Sequence, residues 1–121
     1  MATVLRVTRH SDMSSEHAEA LQAAVTKLTG ESGPHQVAIH GETVKNASEV
    51  MALVEEHGAA VVEVVLPPAI LADLTNPRNN PGTPVIRARM ERELSEDGTT
   101  ATFTFDVYER IIKVEVVIEE L

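Results

Sequence analysis

The chain has 121 residues, a length that predicts a single domain spanning residues 1–121. It contains no cysteine, which excludes disulfides and thiolate metal sites and suits a reducing cytoplasm, where we expect the protein to reside. The formal net charge of -9 argues against DNA and anionic membrane surfaces as partners, and neither a signal peptide nor a membrane-spanning run is evident.

The first predicted element is a short apolar strand near the N-terminus. It begins at Val4 and opens into a polar loop of four residues, which are Thr8, Arg9, His10 and Ser11. A helix is predicted next, with Ser14 as its N-cap and Gly30 as its end. The residues expected on its buried stripe are Ala18, Leu21, Val25 and Leu28.

Two more strand and helix units follow. A second strand is predicted over residues 36–40, and Asn46 caps a helix that ends at Gly58. Residues 60–66 form a β-branched run typical of a central parallel strand. Pro67 and Pro68 end that strand and begin a short helix. The buried faces of the two helices should carry Ala47, Val50, Met51 and Val54 in one and Ile70, Leu71 and Leu74 in the other. Residues 75–84 predict an exposed loop with Arg78 near its tip.

The pattern then changes to strict alternation. Strands are predicted over residues 85–94 and 99–108, joined by a turn at residues 95–98. A second reversal at Glu109 and Arg110 should lead into a last strand. Its inner face is expected to carry Ile112, Val114, Val116 and Ile118. The predicted fold is α/β, a Rossmann-like mixed sheet (β-α-β-α-β-α-β) with a C-terminal antiparallel meander. That meander either completes the core or pairs with a second copy.

The polar loop after the first strand is a candidate ligand site, because open α/β sheets bind ligands at the carboxyl ends of their strands. Arg9 suits bidentate phosphate recognition, and hydroxyls and the following helix N-terminus add donors. The glycine fingerprints of NAD and ATP sites are missing. Alternatively, Arg9 and His10 are ordinary loop residues.

A second group of candidates follows the second strand: His40, Gly41, Glu42 and Thr43. Gly41 would allow close approach to a ligand, and His40 with Glu42 is a possible acid–base pair. A strand-end histidine and a turn glycine are the plainer interpretation. Pro67 is expected to offer backbone and shape at the next strand end, and Arg78 is a further candidate ligand contact.

Three charged positions lie within predicted strands. Glu63 interrupts an apolar strand, and we expect it on a solvated or interfacial face, paired with an arginine. Arg87 and Arg89 share one strand face, where cross-strand pairs to threonines or Asp106 are expected. The scattered histidines predict no metal site, and no nucleophile motif is found.

The Val-Thr-Arg-His sequence at residues 7–10, followed by a helix and small α/β units, resembles the short accessory proteins of type III CRISPR systems, which are stand-alone CRISPR-associated Rossmann-fold (CARF) domains. This resemblance implies binding of a cyclic oligoadenylate, with cyclic tetra-adenylate expected first, by a homodimer or higher homo-oligomer with the ring across a two-fold axis. Members act as ring nucleases or only sequester the messenger.

If the ring is cleaved, the resemblance implies attack of a 2′-hydroxyl on the neighbouring phosphate, without metal or cofactor. Arg9 or backbone amides would then stabilise the phosphorane, and His10 or His40 would transfer protons. Two alternatives remain open at this point. One is a non-enzymatic, self-assembling interaction module built on the meander. The other is a small enzyme for an anionic metabolite, with His40 and Glu42 as acid and base.

Overall fold

The computed structural model describes residues 1–10, 12–115 and 117–121. The elements in this part are β1 (Thr3–Val7), α1 (Ser15–Thr29), β2 (Gln36–His40), α2 (Ala47–His57), β3 (Val61–Val64), α3 (Pro68–Leu74), β4 (Val85–Leu94) and β5 (Ala101–Arg110). The strands form one sheet in the order β2-β1-β3-β4-β5. β1 to β4 run parallel, and β5 is antiparallel to β4. The predicted Rossmann-like α/β fold with a mixed sheet is confirmed.

The helix ends are fixed by the predicted caps. The Ser14 hydroxyl accepts from the backbone N–H of His17 (3.1 Å), and the Asn46 side chain accepts from that of Glu49 (2.9 Å). Gly30 and Gly58 close α1 and α2 with φ of 72° and 60°, a left-handed conformation that glycine adopts at little cost. These contacts satisfy backbone donors and acceptors that a helix end would otherwise leave unpaired.

Apolar residues cover both faces of the sheet. The α1 face is built from Ala2, Val4, Leu21, Val25, Val61 and Ile86. The opposite face packs against α2 and α3 and contains, among others, Leu5, Val7, Val50, Val54, Val62, Val64, Leu71 and Leu74. Burial on both faces explains the near-continuous apolar sequence of the central strands. One helix position differs from expectation: Ala18 is exposed, and His17 takes an inward position of α1.

The predicted last strand is wrong. β5 runs on through Glu109 and Arg110, which pair with Arg87 and Ile86 of β4, so the chain does not reverse there. Beyond it the described residues, 111–115 and 117–121, have no regular secondary structure, and Val116 lies outside the described residues. Ile112 and Ile118 are exposed rather than facing inward. The antiparallel part is therefore a single hairpin of two ten-residue strands.

Candidate functional site

The sheet order places a crevice at the carboxyl ends of β1 and β3. The chain leaves the end of β1 toward β2 on one side and then crosses over to β3 on the other side of β1. From the end of β3 it continues to β4, farther in that second direction. The connections after β1 and β3 therefore lead in opposite directions. In open α/β sheets, ligands bind at such a reversal of strand order, just outside the carboxyl ends of the strands.

A cavity of about 330 Å³ lies at this edge. One wall is polar and comes from the loops after β1 and β2, with Thr8, Arg9, His10, Glu42 and Thr43. The other wall is apolar and comes mainly from β3 and its connection to α3, with Val7, Val44, Val65, Leu66, Pro67 and Ile70. Such a volume is at the low end for small-molecule pockets, and the two-sided lining fits a ligand with both a charged and an apolar part.

The polar wall is held by hydrogen bonds between the two loops. The backbone N–H of Thr8 donates to the carbonyl of His40 (3.1 Å), which continues the β1–β2 pairing one residue past the strand. The Thr8 hydroxyl, which is buried, accepts from the N–H of His10 (3.1 Å) and so shapes the loop. The Arg9 guanidinium donates to the Thr43 hydroxyl, which ties the first loop to the second.

The charge of the wall is local and mixed. Among the described lining residues, Arg9 carries the only permanent positive charge and Glu42 the only carboxylate. Both side chains are exposed, as is His10. An anionic group meeting Arg9 would therefore have the Thr43 hydroxyl nearby, while Glu42 offers an acceptor suited to an amine or hydroxyl.

The structure does not bring every candidate to the cavity. His40 contributes its backbone carbonyl to Thr8 but is not among the lining residues, and neither is Gly41. A Cβ at Gly41 would lie 3.8 Å from the Thr8 carbonyl oxygen, an ordinary contact, so this spacing alone does not demand glycine. Arg78 lies instead in a groove beside α2, with Ser48 and Glu55. Ser11 lies outside the described residues.

A second polar group is buried under the α1 face of the sheet. Arg6 and Glu63 stand opposite each other on neighbouring strands, and each is only 2% exposed. The guanidinium donates from Nε to Glu63 Oε1 (3.0 Å) and from Nη2 to Oε2 (3.3 Å). The Tyr108 hydroxyl donates to the same Oε1 (2.7 Å) and lies 2.8 Å from His17 Nε2. We call Arg6, Glu63, Tyr108 and His17 the buried network.

Protonation in the buried network follows from these contacts. Burial, with the Glu63 charge, raises the pKa of Tyr108 far above its usual value, so the hydroxyl stays protonated and donates its hydrogen to Glu63. The Tyr108 oxygen is then an acceptor, which assigns the hydrogen between the two rings to His17 Nε2. Burial also lowers the pKa of His17, which favours neutral imidazole at pH 7. Phe105 stacks on that imidazole at 4.3 Å between ring centroids.

The buried network corrects one prediction and adds residues that sequence reasoning missed. Glu63 does pair with an arginine, but it is buried rather than on a solvated or interfacial face. His17 and Tyr108 come from distant segments, and nothing in their local sequence marks them. Arg6 did carry a signal, because it is a charge within an apolar strand, like Glu63. Two opposite charges in neighbouring buried strands predict an ion pair.

Among the described residues, no group of three or more histidine, aspartate or glutamate side chains is placed to hold a metal ion. No helix in that part of the chain combines the length and apolar character needed to cross a membrane.

Comparisons of the chain with protein-family models, with curated proteins and with solved structures gave no match.

Proposed function

We propose that the chain binds a phosphate-bearing nucleotide in the cavity between the β1 and β3 ends, and that this ligand is a cyclic oligoadenylate. The observation that carries the proposal is the convergence of Arg9, His10 and Thr43 on one wall, opposite the apolar wall of Val65 and Ile70. Phosphate suits Arg9 and the hydroxyls, and a nucleobase suits the apolar side. The choice of cyclic oligoadenylate comes from the Val-Thr-Arg-His resemblance.

The size of the cavity supports a shared site. About 330 Å³ is enough for roughly one nucleotide and its phosphate, not for a ring of four. A cyclic tetra-adenylate would extend beyond this cavity, and because the resemblance implies a ring across a two-fold axis, we propose that two copies hold one ring. Binding would then use the polar walls of both chains, with one Arg9 from each.

Cleavage, where it occurs, would use the same wall. The ribose 2′-oxygen forms a bond to the adjacent phosphorus, the bond to the 5′-oxygen breaks, and a 2′,3′-cyclic phosphate results. The 2′-hydroxyl proton passes to a base and the 5′-oxygen takes up a proton. His10 lines the cavity and is our candidate for proton transfer, with Arg9 stabilising the charged phosphorane. His40, which does not line the cavity, is not retained in this role.

Calorimetric titration with cyclic tetra-adenylate tests the proposal. We expect binding with one ring per two chains and a loss of tenfold to a hundredfold in affinity for Arg9→Ala, because a hydrogen bond to a charged group contributes about 1.5–3 kcal/mol. Arg92→Ala is the matched control, since it removes the same charge from an exposed position on β4, away from the cavity. Absence of binding, or equal losses in both variants, would refute the site.

Chromatography of the ligand after incubation separates the two modes. A ring nuclease yields a linear product that disappears in His10→Ala while binding is retained. A sequestering protein returns the ring intact.

A further inference from the structure

The β4–β5 hairpin projects beyond the rest of the sheet. β3 pairs with β4 only at Val85 and Ile86, so the described residues farther along β4 are paired with β5 alone. We call residues 90–94 of β4 and 101–105 of β5 the arm. Nearly all of its residues are exposed, and Phe105 is an exception because it is half-buried against His17. Two-stranded hairpins are at best marginally stable alone in water, so we expect a binding partner to stabilise the exposed arm.

The two faces of the arm differ in polarity. The face on the α1 side carries Met90, Arg92, Leu94, Ala101, Phe103 and Phe105, among which Phe103 is 62% and Leu94 59% exposed. The other face carries Glu91, Glu93, Thr102 and Thr104. Nearer the sheet, Arg89 forms the expected cross-strand ion pair with Asp106 (2.8 Å), whereas Arg87 pairs with Glu109 (3.2 Å), a partner that was not predicted. The apolar side chains of the arm are thus gathered on one face.

β5 is also the last strand of the sheet, so its outer edge has no partner strand within the described chain. The Ser95 N–H donates to the Thr100 carbonyl (2.9 Å), and pairing in an antiparallel ladder alternates from there. Thr102 and Thr104 therefore turn their backbone groups toward β4. The N–H and C=O groups of Ala101, Phe103 and Phe105 point to the open edge.

This edge is protected along only half its length. Proteins usually blunt exposed strand edges with charges, prolines or bulges. The C-terminal half of β5 has such devices, since Asp106, Glu109 and Arg110 are charged and the ladder shifts its register beside Asp106. The N-terminal half, Ala-Thr-Phe-Thr-Phe over residues 101–105, has no charge, proline or glycine. This segment has a high β-propensity, and its backbone N–H and C=O groups at the edge are available to pair with another strand.

We propose that a second copy of the chain pairs with this edge, β5 against β5 in antiparallel orientation, with the two-fold axis at Phe103. In this register Phe103 faces its own symmetry mate, Thr102 faces Thr104, and Ala101 faces Phe105. The Phe103 pair and the two Ala101–Phe105 pairs match backbone groups that point to the open edge, and no like charges stand opposite each other within the segment. The contact is self-complementary, as a two-fold interface requires, and it closes the edge instead of leading to a filament.

The arrangement also continues the apolar face of the arm. A two-fold axis perpendicular to the sheet keeps both α1 faces on the same side, so the Phe103 and Phe105 rings of the two chains form one patch. The same axis reverses the strands, and the β1 and β3 carboxyl ends of the two chains then point in opposite directions. The two cavities remain open and far apart. This interface is therefore separate from the ring-sharing contact of the proposed function and does not depend on any ligand.

A cysteine cross-link tests the register. The chain has no cysteine of its own, so Phe103→Cys introduces a single thiol that would face its symmetry mate. Cα atoms of a directly opposed, hydrogen-bonded pair are about 5.5 Å apart, which is within disulfide range. We expect mild oxidation to give a covalent dimer of Phe103→Cys and little of Leu94→Cys, the control on the same face of the inner strand. Equal cross-linking of both variants would overturn the register.

Light scattering without ligand tests the interface itself. We expect a mass of twice 13.1 kDa for the natural chain. The double variant Thr102→Lys with Thr104→Lys should be monomeric, because it sets lysine opposite lysine across the edge, while its circular dichroism stays that of the folded protein. Ile118→Lys, in the exposed C-terminal segment, should remain dimeric. A monomeric natural chain, or dissociation by Ile118→Lys alone, would overturn the proposal.

Discussion

Replacing Glu63 by alanine should be among the most destabilising single changes in this fold. The substitution removes the carboxylate that accepts two hydrogen bonds from Arg6 and one from Tyr108. The Arg6 side chain, which is only 3% exposed in the natural chain, would lose the Glu63 carboxylate that its charge faces. Removing one member of a buried ion pair costs about 3–5 kcal/mol. For a domain of this size we expect a fall in melting temperature of about 15 °C.

Thermal unfolding followed by circular dichroism measures this loss. The control is Glu109→Ala, which removes a carboxylate that contacts Arg87 and Arg89 at 3.2 and 3.3 Å but is 30% exposed. Its loss should be at most about 1 kcal/mol, as for surface ion pairs. Replacing Arg6 by methionine together with Glu63 by leucine should recover most of the stability, because no charge is then buried. If Glu63→Ala costs no more than the control, the buried network does not stabilise the fold as argued.

Two predictions concern pH. Burial lowers the folded-state pKa of His17, so the unfolded chain binds more protons just below pH 6.5, and the stability measured from urea midpoints should fall as the pH drops through this range. The fall should be smaller in His17→Gln, whereas the exposed control His57→Gln should show the same pH dependence as the natural chain. Hydrogen bonds from Ser95 and Thr99 lower the pKa of Asp97 to about 2, so the stabilisation of the hairpin turn by Asp97 should be complete above pH 4 and disappear as the pH approaches 2. NMR chemical shifts of the turn residues would follow this pH dependence, and Asp97→Ala should abolish it.

Local sequence signals were sufficient for most of the fold. Where periodicity, caps and turns agreed, as in α2 between Asn46 and Gly58, the element lies where the pattern predicted it. The prediction of a last strand was wrong for a physical reason. Its alternation is real, but a strand also needs a neighbour, and Ile111 still donates its N–H to Val85 (2.8 Å) at the start of β4. The chain has no room to reverse before the alternating segment begins.

The candidate site was predictable only in part, because sequence locates strand ends better than side-chain directions. Parallel strands bring the Thr8–His10 loop and the Glu42–Thr43 loop to one edge, and the topology alone is enough for that expectation. Whether a residue such as His40 lines the cavity depends on side-chain direction at a strand end. The apolar wall, with Val65 72% exposed, was visible in sequence only as the end of a strand.

Charge and shape together narrow the class of ligand. With a net charge of -9, long-range attraction does not draw an anion to the chain, so affinity must come from short-range contacts at the cavity. Inorganic phosphate would use Arg9 and Thr43 but leave the apolar wall of Val65 and Ile70 unoccupied. A long polyanion such as DNA would meet the acidic surface beyond the cavity. A compact nucleotide would use both walls and leave most of that surface untouched, which is why we propose it as the ligand.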